Sequence, residues 1–170
     1  MMHIIFENVI NLFQSVVVTV FLMASLGCKD KYNKKCIGII GIVTTFIYLT
    51  VSNHIAYFES VGIYIYMIYS LIFSFWVLGG TIIEKLFYNV MMIGCLAGSA
   101  LLGVGLISLV IKKDFLNAIP FGTVSRYVSG ILVQLLLMLF LGFFIKLKKV
   151  LKEKAVSYTH LRAHETKANL

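Results

Sequence analysis

An all-α fold, a polytopic transmembrane helical bundle of about five spans, is what three features of this chain predict. Five apolar runs, at about 9–26, 36–51, 61–78, 86–111 and 127–145, take up almost all of its 170 residues. Hydrophobic residues make up 60% of the sequence and charged residues 13%, with a mean hydropathy of +0.96. Soluble domains hold roughly 45–50% apolar and about 25% charged residues. The one proline, Pro120, falls between the fourth and fifth runs. A span needs about 20 mainly apolar residues to cover a hydrocarbon core of about 30 Å. Lipid offers backbone groups no partners, so such spans must be helices; a closed barrel would show alternation in place of continuous apolarity. Little chain is left between the runs for a soluble domain.

The first run has Glu7 ahead of it, lacks a basic n-region and carries its lysines on the far side, so it reads as a retained anchor and not as a cleavable signal peptide. Glu7, Asn11 and Gln14 fall at i, i+4 and i+7, on one helix face, with Asn8 beside it. Gln134 lies near the middle of the fifth run. These four, Glu7, Asn11, Gln14 and Gln134, form a candidate polar face turned into the bundle, because intramembrane polar groups seek partners there. Two readings stay open. One is interhelical hydrogen bonding, common in membranes at about 0.6 kcal/mol per bond. The other is a polar groove, open to the outside, that receives an extracellular peptide or small-molecule ligand.

The second and third runs form a hairpin rich in aromatics (Tyr48, Tyr57, Phe58, Tyr64 and Tyr66, with His54), which an interfacial aromatic belt explains without a ligand. In the fourth run, Gly94-x-x-x-Gly98 precedes Ser99, Gly103 and Gly105. Small residues at i, i+4 let helix backbones approach closely. Packing of Gly94 and Gly98 against another helix of the same chain is the main expectation, and a homodimer contact the second. Gly103-Val-Gly105 lacks the preceding strand and following glycine of a nucleotide loop. The fifth run leads into a basic exit helix at 146–156, where Lys146, Lys148, Lys149 and Lys152 are candidates for carrying a signal out of the membrane.

Basic residues set the orientation. Residues 27–35, 79–85 and the segment behind the fifth run hold ten lysines, among them Lys29, Lys31, Lys34, Lys35 and Lys85. The opposite side holds three basic residues, Lys112, Lys113 and Arg126. This bias predicts a multi-pass protein of the cell membrane, N-terminus outside and C-terminal segment in the cytoplasm. A reducing cytoplasm argues against a disulfide between Cys28 and Cys36, and their spacing without a nearby histidine is no zinc site. Both read as small membrane-boundary residues, with Cys95 inside the fourth run. The net charge of +8 is grouped beside the spans and forms no independent basic face, so the lipid bilayer is the expected partner and nucleic acid is not. His54 and Cys95 lie at different depths, and the seven acidic residues are scattered. No catalytic residue, metal site or cofactor is expected.

The end of the chain breaks with this pattern. Ser-Tyr-Thr-His-Leu-Arg-Ala-His-Glu-Thr, from Ser157 onward, resembles a peptide that recurs at the ends of unrelated metagenomic reading frames, where translated sequencing-adapter sequence is fused to a truncated gene. On that resemblance residues 157–170 are non-biological, and the native gene departs from this sequence near Val156. His160 and His164 are spaced i, i+4, but Glu165 is not followed by the residues of an HExxH zinc motif.

A second resemblance covers about residues 1–154. Phe6-Glu-Asn-Val-Ile-Asn-Leu-Phe-Gln, Gly27-Cys-Lys-Asp-Lys with its lysine-rich loop, and Trp76-Val-Leu-Gly-Gly-Thr-Ile-Ile-Glu-Lys-Leu-Phe-Tyr-Asn resemble the N-terminal sensor region of Gram-positive GHKL-type receptor histidine kinases of the peptide-pheromone type. The resemblance implies ligand sensing outside and autophosphorylation inside, in two-component signal transduction. The phospho-acceptor histidine and the ATP-binding motifs have no counterpart in these residues, so the chain would be an input-domain fragment and not itself an enzyme. The alternative is a substrate-binding membrane subunit of a small-molecule importer, also small, helical and without a soluble domain. A membrane peptidase is the third class, disfavoured by the placing of His54 and Cys95.

Overall fold

The computed structural model describes the backbone of residues 2–54, 58–112 and 123–168, and the side chains of 2–53, 61–112 and 123–151. The described residues form five helices: α1 (Met2–Leu26), α2 (Lys34–His54), α3 (Phe58–Val77), α4 (Ile82–Ile111) and α5 (Val124–Ala168). Four of them, α1, α2, α4 and α5, are long and apolar enough to cross a membrane. The 20 residues of α3 cover about 30 Å at 1.5 Å per residue, with Val61–Val77 as the apolar part. Helices α1 and α4 each pack on three others, α1 on α2, α4 and α5, and α4 on α1, α3 and α5, while α3 packs on α2 and α4.

The packing is inverted relative to a soluble protein. Among the described residues, 12 polar or charged side chains are buried against 11 hydrophobic ones. The outward surface is aliphatic: Ile83, Leu109 and Val110 are each more than three-quarters exposed. Water would not tolerate such a surface. Lipid does, and it drives polar groups inward, where they meet partners. Helix α1 buries Asn11, Ser15, Val18, Thr19, Phe21, Leu22, Ser25 and Leu26, positions three to four apart that double into adjacent pairs from Val18 onward, a wide face as packing on three helices requires.

Close packing falls on glycines other than those expected. A Cβ on Gly41 of α2 would lie 2.7 Å from Thr19 and 2.9 Å from Phe73, and one on Gly103 of α4 would lie 2.5 Å from Val133. Around Gly94 and Gly98 there is nothing within 4 Å. The within-chain packing expected of Gly94-x-x-x-Gly98 is therefore not made. The buried line of α4 is Lys85, Asn89, Met92, Cys95, Ser99 and Gly103, and Gly94 and Gly98 stand one residue, about 100°, off it.

Helix ends follow local chemistry. Thr81 and Glu84 form a capping box, in which the Glu84 N–H donates to Thr81 Oγ1 (3.3 Å) and the Thr81 N–H to Glu84 Oε2 (2.7 Å). That starts α4 at Ile82, before its apolar run begins. Gly27 and Gly80, at φ +71° and +79°, supply the left-handed residues behind α1 and α3. Nothing interrupts α5, so the fifth apolar run, the basic exit segment and residues 157–168 share one continuous helical backbone.

Candidate functional site

The bundle carries a polar cluster at each end. At the first, α1 and α5 run parallel and meet side chain to side chain. Arg126, in the first turn of α5, holds Glu7 through two bonds, Nε to Oε1 at 2.8 Å and Nη2 to Oε2 at 3.2 Å. A guanidinium at a helix N-terminus opposes the helix dipole, and the carboxylate of Glu7 offsets that charge. The two side chains are 32% and 18% exposed, so the pair is shielded but not dry. Beside it, Phe6 meets Tyr127 edge-on at 4.7 Å. The Phe6 ring sits where a Cβ on Gly130 would come within 3.1 Å of it. One level deeper, Gln134 Nε2 donates to Gln14 Oε1 at 3.0 Å.

Three of the four residues of the expected polar face therefore lie on the α1–α5 seam. The fourth, Asn11, turns to α2 and accepts from Asn53 Nδ2 at 3.2 Å. Arg126 and Asn53 are hydrogen-bond partners of that face which residue spacing alone did not reveal. A signal for Arg126 existed: odd-numbered spans run in the same direction, so an acid before the first and a base before the fifth fall at one end.

The aromatic hairpin also departs from expectation. Tyr48 and Tyr66 do not line an interface; with Tyr69 they form a stacked cluster between α2 and α3, at centroid distances of 5.3, 6.0 and 6.1 Å. Tyr66 is only 4% exposed, whereas Tyr64 points outward as a belt residue would. Two of the three hydroxyls find partners: Tyr48 Oη donates to the Gly62 carbonyl, and Tyr69 Oη bonds Thr44 and Thr45. The hydroxyl of Tyr66 has no hydrogen-bond partner among the described residues, so that ring is held by packing against the other two. The side chains of His54, Tyr57 and Phe58 lie outside the described residues.

At the opposite end lysines meet main chain. Lys29 Nζ donates to the carbonyls of Phe75 (2.8 Å) and Trp76 (2.9 Å) in the last turn of α3. Lys148 Nζ donates to the Ser25 carbonyl in the last turn of α1 and lies 5.0 Å from the Tyr88 ring centroid. Helix C-termini leave carbonyls without partners and carry partial negative charge, so a lysine there serves both needs. Backbone bonds from Lys29 N to Val77 O and from Gly79 N to Gly27 O join the two loops. The lysine-bearing loops and the start of the exit segment thus share one end of the bundle. Lys146 and Lys149 are exposed, and the side chain of Lys152 lies outside the described residues.

Cys28, at this end, is partly buried, which pushes its thiol pKa up against the opposing pull of Lys34. Cys36 is exposed and Cys95 buried. Among the described residues no three His, Cys, Asp or Glu side chains group as metal ligands would. The chemistry on offer is hydrogen bonding and charge at the two ends of long parallel helices. No protein-family model, curated protein or solved structure matches the chain.

Proposed function

We propose that this chain is the membrane-embedded input bundle of a sensor histidine kinase, in which an extracellular peptide or small molecule acts on the α1–α5 seam and α5 delivers the response to a cytoplasmic output. The observation that supports this reading is the continuity of α5. One helix carries Arg126 and Gln134, the partners of α1, near its start, and Lys146, Lys148 and Lys149 beyond the apolar run. Its 33 residues from Val124 to Val156, ahead of the adapter-like tail, extend about 50 Å at 1.5 Å per residue, well beyond a hydrocarbon core of about 30 Å. A shift or rotation of its first turns is therefore carried to the exit segment without a hinge. Packed helix interfaces move between discrete registers in such transitions.

The seam suits a switch energetically. A membrane hydrogen bond such as Gln14–Gln134 is worth about 0.6 kcal/mol, so a modest ligand contact can exchange it. Lys148 ties the exit segment of α5 to the end of α1, so motion along the seam also reaches that contact. The ATPase and phospho-acceptor histidine would belong to sequence outside this chain. Recovery of the parent gene tests the proposal. The expected result is a reading frame that continues as a helix into a dimerisation and ATP-binding region. A stop codon close behind the fifth span would remove the kinase reading and leave the importer subunit in its place.

A further inference from the structure

A groove of about 360 Å³ runs along the outward surface between α2 and α3. Its walls are apolar, with Ile40, Ile72 and Phe73 among them, and Ile40 and Ile72 are each more than half exposed. At the closed end lie Thr44 and Tyr69, whose hydroxyls bond each other, while Thr44 also donates to the Ile40 carbonyl at 2.7 Å. Polar atoms there are thus already engaged, and a polar ligand gains little from them. At the mouth stand Tyr32, Cys36 and Trp76.

The dimensions select the occupant. The groove runs along α2 from Cys36 to Thr44 and along α3 from Tyr69 to Val77, about 12 Å of helix on each side, or most of one leaflet of a core about 30 Å thick. A helix some 10–12 Å across would need about 900 Å³ or more along that length, well beyond the groove, and a single hydrocarbon chain fits it. An extended peptide would bring backbone groups that these walls cannot satisfy.

Charge at the mouth adds the headgroup. Lys31 Nζ lies 5.9 Å from the centroid of the Tyr32 ring. Lys34 and Lys35, both exposed, directly precede Cys36 in the first turn of α2, and Asp30 is the one acidic residue of this loop. Basic side chains beside a span attract anionic lipid headgroups. The geometry points to a phospholipid site: one acyl chain of an anionic phospholipid lies in the α2–α3 groove, and its phosphate meets Lys31, Lys34 and Lys35. The site stands independently of the sensing role.

Trp76, the one tryptophan of the chain, reports on it from the mouth. The full chain is reconstituted in phosphatidylcholine vesicles containing acyl-brominated phosphatidylglycerol or acyl-brominated phosphatidylcholine at equal mole fraction. Quenching of Trp76 is expected at roughly tenfold lower mole fraction of the anionic lipid. Lys31→Gln/Lys34→Gln/Lys35→Gln, at exposed positions, should equalise the two lipids. Ile40→Phe/Ile72→Phe, which narrows the groove and leaves the lysines in place, should also abolish the preference. Equal quenching in the unmodified chain overturns the site. A preference that survives the phenylalanine pair reduces it to lipid enrichment around a basic loop, and overturns it too. If neither brominated lipid quenches Trp76, a second copy or another protein covers the groove and the lipid assignment fails.

Discussion

The two ends of this bundle are held by different chemistry. At the Glu7–Arg126 end, side chains bond side chains across α1 and α5, so each partner is specified by one particular residue on the other helix. At the lysine end, Lys29 and Lys148 bond main-chain carbonyls of α3 and α1, acceptors that every helix C-terminus presents whatever its sequence. The first kind of contact is a matched pair, and losing one member strands the other. The second is a cap that water can replace at the membrane boundary. This contrast orders the expected cost of substitutions.

The largest effect should follow from Arg126→Ala. It removes two charge-assisted bonds and leaves the carboxylate of Glu7 shielded and unpaired. Bonds to charged groups contribute about 1.5–3 kcal/mol each when fully shielded. The partial exposure of this pair brings the expected loss to about 2 kcal/mol. Unfolding by denaturing detergent in mixed micelles measures it. Glu7→Arg/Arg126→Glu should recover part of the loss, and Arg126→Lys should fall between, because an ammonium cannot reproduce the two-pronged contact. If the swapped pair is no better than either single change, the matched-pair account of this end is wrong.

Next in size is the Gln14–Gln134 contact. Gln14→Leu should cost about 1 kcal/mol, since it leaves Gln134 buried without its acceptor. Gln14→Leu/Gln134→Leu should come back close to the unmodified stability, because two apolar groups leave nothing unsatisfied. The same unfolding assay, run as a double-mutant cycle, decides it. Additive losses would show that the two amides act separately and not across the seam.

Those expectations also mark where the sequence was informative. Continuous apolarity determined an all-helical membrane bundle, because lipid leaves a spanning backbone few alternatives. The spacing of Glu7, Asn11 and Gln14 pointed to an inward face for the same reason. What it left open was the partner of each residue, since pairing depends on how helices are arranged and not on spacing within one helix. Arg126 entered the sequence reading only as a charge at a loop, and Asn53 did not enter it at all. Gly94 and Gly98 show the reverse failure. A small-residue motif states that close approach is allowed, while the rotation of α4, set by Asn89, Met92 and Ser99, put Gly103 against α5 instead. The tyrosines were misplaced because an aromatic near a span end fits a belt and a packed cluster equally well; buried hydroxyl partners such as Thr44 and Thr45 favour the cluster.

At the lysine end the expected changes are smaller. Lys148→Met keeps the apolar stem and removes the ammonium that meets the Ser25 carbonyl. It should cost about 0.5 kcal/mol, as exposed or half-exposed charge contacts do, and the loss should shrink with added salt. A loss as large as that of Arg126→Ala, unaffected by salt, would mean that the two ends are held alike.

The smallest effect is a rate, not a stability, and it bears on orientation. Cys28 and Cys36 both belong to the lysine end, so a membrane-impermeant maleimide should reach them from the cytoplasmic face only, as the distribution of basic residues predicts. Exposed Cys36 should react first. Burial raises the Cys28 pKa, and because the thiolate is the nucleophile, a raised pKa means a smaller reactive fraction at any neutral pH. The Cys28 rate should therefore be the slower of the two at neutral pH. It should climb about tenfold per pH unit and go on climbing past the ordinary thiol range near 8.5, where an unperturbed cysteine has levelled off. Single-cysteine variants in sealed vesicles of known sidedness, sampled from pH 6.5 to 9.5, separate access from ionisation, on the pH scale where free thiols titrate near 8.5. Labelling of Cys28 and Cys36 from the outer face would invert the bundle and place the Glu7–Arg126 end in the cytoplasm. A Cys28 rate that levels off in the ordinary thiol range near 8.5 would mean that the loop joining α1 to α2 shields Cys28 less than its packing against Leu78 and Gly79 requires.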